Sequence, residues 1–401
     1  MEETKKYTPT DTTKLLDKFN KILYVFGFRG FWMGDVKFPK TVMKIIDILY
    51  PVLIITQGTF GTLQLGAYFT QKHLNSVQKI DALVMGFGQP MMLLYCLNCR
   101  YYKKACREVF YHLFVVLKTV YNDKETEENM VKRLKLYFGA YLIFSLLIVL
   151  LYGSYASVET VRKGATFVTV VTAWPDVTDT SKLASYARVG IFMYWSVYSF
   201  TTSVVIIIVL IIFLGLTYQY INLQRYFENL NSIFENDRLS HEEMEKNFEK
   251  ALQNGIKAHS ETLWCVKQCR MICSAINAGV ILLTTGTLVI LMPAILGSKD
   301  DLLEAMMYLM VFNIVLMIMA FFMCNAGDTT VEAQKLPNAI YSCGWYNCYG
   351  KRSARIRSLV VVAMIQAQEP VVFTGFGVIE LSYENFVTII KSAYSLISVF
   401  H

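Results

Sequence analysis

The chain has 401 residues, of which 54% are apolar and only 17% charged, well below the roughly 25% charged residues of ordinary soluble domains. That balance excludes an average water-soluble enzyme and points to a membrane-embedded chain. The net charge of +7 would suit nucleic acid, but the basic residues border apolar stretches instead of gathering into a patch, which argues against that partner.

From the N-terminus, residues 1–21 are polar and charged and lack the apolar core of a signal peptide. The first span is therefore expected to act as its own insertion signal, after a cytoplasmic segment 1–44. A hydrocarbon core about 30 Å thick takes about 20 apolar residues as helix. The sequence predicts six such spans, at 45–69, 80–97, 136–155, 189–216, 272–296 and 302–324. A seventh is broken: 356–364 is too short to cross, Gly375-Phe376-Gly377 reads as a break, and 386–400 resumes. The predicted fold is an all-α membrane protein with seven transmembrane helices, the last split. Its regions are the segment 1–44, spans one to four at 45–216, a helical loop at 217–271, spans five and six at 272–325, and a terminal anchor and seventh helix at 326–401.

Lys and Arg assign the sides, because cytoplasmic loops carry their excess. The segment to Lys44 holds nine, residues 98–135 nine, 217–271 seven and 326–357 five, thirty of the thirty-eight in the chain. The alternate loops hold Lys72 and Lys79, then Arg162, Lys163, Lys182 and Arg188, then Lys299. The N-terminus is thus expected in the cytoplasm and the C-terminus outside, the reverse of a G-protein-coupled receptor.

Within 217–271, Ser240-x-x-Glu243 is a capping-box pattern. Met244, Phe248, Leu252, Ile256 and Leu263 then recur on one helical face, with Glu245, Lys246, Glu249 and Lys250 on others. This helix is expected to run into span five and to pack on its own subunit or against neighbouring copies. Cys96-x-x-Cys99 and Cys265, Cys269, Cys273 read as small buried residues, since zinc sites pair two short ligand spacings. No metal or cofactor is expected, and none of the nine cysteines falls in a loop assigned to the outside, so disulfides are not expected.

In the last span, Lys391, Tyr394 and Ser398 share a face by i, i+3, i+7 spacing, with Ser395 and His401 nearby. Such a face lines a channel in a symmetric assembly or joins helices through small hydroxyls. The sequence around it carries a set of motifs. These are Phe322-Met323-Cys324-Asn325-Ala326-Gly327-Asp328, Ala339-Ile340-Tyr341, Gly344-Trp345-Tyr346, Lys351-Arg352-Ser353-Ala354-Arg355, Met364-Ile365-Gln366-Ala367-Gln368-Glu369-Pro370 and Lys391-Ser392-Ala393-Tyr394-Ser395. In this order they resemble the C-terminal signature of insect odorant receptors, ligand-gated cation channels with inverted topology.

The resemblance implies an odorant pocket in the outer halves of spans two, three, four and six. On the predicted topology those halves offer Val84, Phe87 and Gly88; Leu147, Leu151 and Tyr155; Phe192, Trp195, Tyr198 and Ser199; and Met307, Met310, Asn313 and Ile314. None is charged, and an unpaired charge is costly in such surroundings, so a small neutral volatile (ester, alcohol, ketone or terpenoid) is the expected ligand. The resemblance also implies a pore lined by the end of span seven and narrowed at Ile397, although Phe400 and His401 depart from the co-receptor pattern, which has a Gln there. It implies a four-subunit anchor containing His259, Leu263, Trp264, Trp345 and Tyr346. The expected partner is a longer olfactory co-receptor, in a heterotetramer at the plasma membrane of sensory neurons.

A gustatory receptor channel of the same superfamily is the nearest alternative, but Ala393-Tyr394 and the lack of a following Gln depart from its pattern. A membrane-embedded enzyme needs paired catalytic groups at membrane depth, whereas His73, His112, His241, His259 and His401 are scattered. A transporter calls for broken helices in both halves; only span seven is broken.

Overall fold

The structure is a computed structural model that describes residues 7–34, 36, 38–235, 238–298 and 301–400, with the side chains of 393, 394 and 396–400 outside the description. Eleven α-helices and one short hairpin follow in order among these residues: α1 (Asp11–Val25), α2 (Lys40–Thr70), α3 (Ser76–Tyr101), α4 (Lys103–Tyr111), α5 (Leu117–Val120), α6 (Lys124–Lys163), α7 (Lys182–Asn229), α8 (His241–Gly297), α9 (Leu302–Tyr341), α10 (Ser353–Ala367), β1 (Thr374–Gly375), β2 (Ile379–Glu380) and α11 (Tyr383–Phe400). Helices α2, α3, α6, α7, α8 and α9 are long and apolar enough to span a membrane. The protein is therefore a multi-pass helical membrane protein.

Helix starts follow local chemistry. Asn75 with Gln78 and Ser240 with Glu243 close capping boxes on α3 and α8, and Asp123, Ser181 and Asp301 cap α6, α7 and α9. Helix α8 runs 57 residues from that Ser240 cap through the apolar stretch, so the polar loop and fifth span are one rod. The broken seventh span appears as α10 and α11 joined through the hairpin, where Thr374 pairs with Glu380 and Gly375 with Ile379. Gly375 is required here by space: a Cβ on it would lie 2.7 Å from the Cα of Ala278 on α8.

Helix α7 is the axis. Residues 204–220 are buried without a break, as expected of a helix apolar on every face, and α7 packs against α3, α6, α8 and α9. Helix α2 is peripheral and packs chiefly on α3.

At one end of the bundle, called here the anchor end, α1, α4, α5 and α10 pack onto α6 to α9. A continuous core runs through Phe19, Phe110, Phe114, Phe213, Phe227, Phe248, Phe373 and Ile356. Phe213 is wedged between Phe322 and Phe373, with ring centroids 5.9 and 5.0 Å away. Two of the charged residues of α8, Glu245 and Glu249, are buried. Glu249 accepts from Arg352 Nη1 at 2.7 Å and lies 3.0 Å from Arg355 Nε, and Glu245 accepts the Gly350 N–H at 2.6 Å. At the opposite end, the α6–α7 loop folds over α2 and α3. Gln71 holds it, donating to the Thr172 and Pro175 carbonyls (2.8 and 2.9 Å) and accepting from the Val177 N–H (3.1 Å).

Candidate functional site

A cavity of about 180 Å³ opens inside the half of the bundle away from the anchor, between α3, α6, α7, α8 and α9. Its wall takes Val84, Met85, Gly88, Gln89, Met92 and Tyr95 from α3, and Tyr141, Phe144, Ser145, Ile148 and Tyr152 from α6. Helix α7 adds Trp195, Ser199, Thr202, Ser203 and Ile206; α8 adds Val280, Leu283, Thr284 and Thr287; α9 adds Val311, Val315 and Ile318. Among the described residues, no Asp, Glu, Lys or Arg lines it.

Five aromatic side chains give the cavity its shape: Tyr95, Tyr141, Phe144, Tyr152 and Trp195. Trp195 is held between Tyr152 (centroids 5.3 Å) and Phe192 (6.2 Å, near-parallel rings). The Tyr152 phenol donates to Asp81 Oδ1 at 3.1 Å, so an acid stands behind the wall. Beyond it lies a small polar pocket of about 30 Å³ lined in part by Asp81, Tyr155, Glu159 and Thr169.

Of the sequence-derived pocket residues, the structure brings Val84, Gly88, Trp195 and Ser199 together on this cavity. Tyr198 is buried one layer behind it, its phenol donating to the Gln89 carbonyl at 3.0 Å. Phe192 backs Trp195, Tyr155 lines the smaller pocket, Met307 and Ile314 are buried outside the cavity wall, and Leu151 is half-buried there. Phe87, Leu147 and Met310 are 48%, 41% and 44% exposed and turn outward. Asn313 is also exposed and returns its amide to the Leu309 carbonyl at 2.8 Å.

The departures on α6 and α9 have one cause. The sequence proposed Leu147 and Leu151 where Ile148 and Tyr152 line the wall, and Met310 and Ile314 where Val311 and Val315 do. A shift of one residue rotates a helix by about 100°. The wall from α8 was not foreseen at all. Its signal was Thr284, Thr285 and Thr287, three hydroxyls within four residues of an otherwise apolar stretch, of which Thr284 and Thr287 line the wall.

At the anchor end, His259 is buried, its Nδ1 has no partner among the described residues, and burial lowers its pKa to about 4. Leu263 and Trp264 pack against the core, Trp264 with His112 at 4.7 Å between ring centroids. Trp345 is half-buried and donates to the Tyr341 carbonyl (2.9 Å), while Tyr346 is exposed. Of the pore residues, Lys391 is exposed on α11. The side chains of Tyr394, Ile397 and Ser398, and all of His401, lie outside the described residues. The start of α11 is tied to α9: Tyr383 donates to Asp328, which also pairs with Arg133 of α6 at 2.9 Å.

Long apolar helices around an internal cavity that no charged side chain lines among the described residues define a multi-pass membrane protein with a small uncharged cavity in its bundle. The 7tm Odorant receptor family model matches residues 76–394, and the chain belongs to the odorant receptor family, a family of receptors and not of enzymes. In fold it is similar to the insect olfactory receptor OR5 from Machilis hrabei, with a TM-score of 0.74 at 12% identity over 97% of both chains. The same receptor solved in complex with eugenol gives a TM-score of 0.77 at 12% identity, over 96% of this chain and 97% of that one. No curated protein matches the chain by sequence.

Proposed function

We propose that the chain is an odorant-tuned subunit that binds a small neutral volatile in the α3–α6–α7–α8–α9 cavity and gates a non-selective cation channel together with an olfactory co-receptor. The carrying observation is the cavity itself: walled by five aromatic rings and free of charged side chains among the described residues. A charged ligand would pay a desolvation cost there with no partner to offset it. In size it is close to the roughly 150 Å³ cavity that accepts benzene in an engineered protein, which suits a single substituted ring or a compact chain. Eugenol, bound by the Machilis hrabei receptor, is a molecule of that kind.

The route from cavity to channel in this reading is α9. It contributes Val311, Val315 and Ile318 to the wall and, ten residues on, Asp328 to the tie on α11. Helix α11 then lines the pore with the face containing Lys391, Tyr394 and Ser398, narrowed at Ile397. The anchor end sits in the cytoplasm, following the excess of Lys and Arg on that side, and four subunits meet there in the plasma membrane of a sensory neuron.

The test is whole-cell current in cells expressing the chain alone and with an insect olfactory co-receptor, challenged with neutral volatiles without added G protein. Ligand-evoked cation current is expected with the partner. Its absence across the panel, with both chains at the cell surface, would overturn the reading.

A further inference from the structure

The hydroxyls around the cavity are not equivalent. In an apolar helix bundle, Ser and Thr ordinarily donate their proton to the carbonyl three or four residues earlier on their own helix. Thr202 to Tyr198 (3.1 Å), Thr284 to Val280 (2.7 Å) and Thr287 to Leu283 (2.8 Å) do so, and Ser145 and Ser203, whose Oγ atoms lie 2.5 Å apart, share a hydrogen bond in which one donates to the other and the other donates to its own-helix carbonyl. Their protons are committed and only weakly basic lone pairs remain. Ser199 is the exception. Its side chain lines the cavity and its Oγ has no hydrogen-bond partner among the described residues. Two other polar atoms of the wall, the Gln89 carboxamide oxygen and the Tyr95 phenol, also lack partners, but surrounding atoms enclose them fully.

We infer that Ser199 is the polar anchor of this cavity, donating its hydroxyl proton to an acceptor oxygen on the ligand, and that the ligand class is a compact ring carrying one carbonyl, ether or hydroxyl oxygen. The inference rests on the cavity being the odorant site. The rings of Tyr152 and Trp195, one helical turn from Ser199 on α7 in the latter case, supply surface for the ligand's own ring. An oxygen placed at Ser199 exchanges a lost hydrogen bond to water for one in the wall; a hydrocarbon of the same shape leaves Ser199 unpaired. A neutral hydrogen bond then separates the two by roughly three- to tenfold in apparent affinity.

The experiment uses the full chain co-expressed with an insect olfactory co-receptor and matched pairs of probes: acetophenone with cumene, and anisole with ethylbenzene. For the unaltered chain the oxygenated member of each pair is expected at roughly three- to tenfold lower half-maximal concentration. In Ser199→Ala that gap closes through loss on the oxygenated side alone, while Thr287→Val, which removes a committed hydroxyl, preserves it. A gap unchanged by Ser199→Ala, no gap in the unaltered chain, or no response to any probe with the protein at the surface would each overturn the inference. Ile148→Phe, which fills the cavity from α6, separates the two levels of failure. If it shifts the response to both members of a pair while Ser199→Ala shifts neither, the cavity stands as the site and the anchor falls. If it too changes nothing, the cavity reading falls with it.

Discussion

Helices α2 and α7 both read as membrane spans, yet only 6% of the residues in the most apolar stretch of α2 are buried within the chain, against 89% in α7. The same contrast divides the molecule end from end. At the anchor end, aromatic and aliphatic side chains interlock around α7, whereas away from it the bundle holds an open cavity. Apolarity places a helix in the membrane, and side-chain fit decides whether it becomes core, wall or lipid-facing surface. A dense end fixes helix positions, and an open end leaves room for a ligand to move them.

Matched truncations test this contrast most severely. Phe213→Ala, in the fully buried wedge between Phe322 and Phe373, is expected to cost about 3–5 kcal/mol. Phe144→Ala, at a half-buried site already facing a void, should cost about 1–2 kcal/mol. Thermal unfolding in detergent, followed by tryptophan fluorescence, measures both; equal losses would erase the distinction between the two ends.

A second prediction concerns polar bonding at the dense end. Glu249→Gln leaves Arg352 and Arg355 without their carboxylate, and a loss of about 3 kcal/mol is expected because the carboxylate is buried and its partners are charged. The Arg side chains are 39% and 68% exposed, so water recovers part of the cost. Unfolding that matches the unaltered protein would make the α8–α10 contact incidental.

How much of this was legible in the sequence follows the range of each interaction. The apolar spans, the Ser240 cap and the interruption near Gly375 depend on neighbouring residues and could be read directly. The burial of Glu245 and Glu249 could not be read, because their partners, Gly350 and Arg352, lie 105 and 103 residues away. On α3 the phase of Val84 and Gly88 agrees with the cavity, but α6 and α9 are apolar nearly all round, so no polar stripe fixes which residues turn inward. A rotation of one residue was therefore invisible there. The α8 wall was missed because the family resemblance directed attention to other helices, although the run Thr284-Thr285-Gly286-Thr287 was in plain view.

The tie between α9 and α11 gives a third prediction. Asp328→Asn removes the ion pair with Arg133 and weakens the bond from Tyr383, both partly exposed, at an expected cost of about 2 kcal/mol. If α9 carries the ligand's effect to α11, the maximal evoked current and the unliganded current should change while the order of preferred ligands stays the same. An altered ligand order with unchanged currents would place Asp328 in recognition instead of transmission.

The smallest expected effect is a pH response confined to the dense end. His259 lies on the part of α8 beyond the apolar span, and burial lowers its pKa from 6.5 to about 4. Between those values the unfolded chain binds a proton that the folded chain refuses, so folding stability rises with pH and is lost as pH falls from about 6.5 toward about 4. Near pH 5.5 the loss attributable to this residue is about 1 kcal/mol. His259→Gln has no such proton to bind, so the difference between its melting temperature and that of the unaltered chain should shrink on going from pH 7 to pH 5.5. A difference that stays constant would mean that His259 is hydrated, and that the packing around α8 is looser than the contrast with the cavity requires.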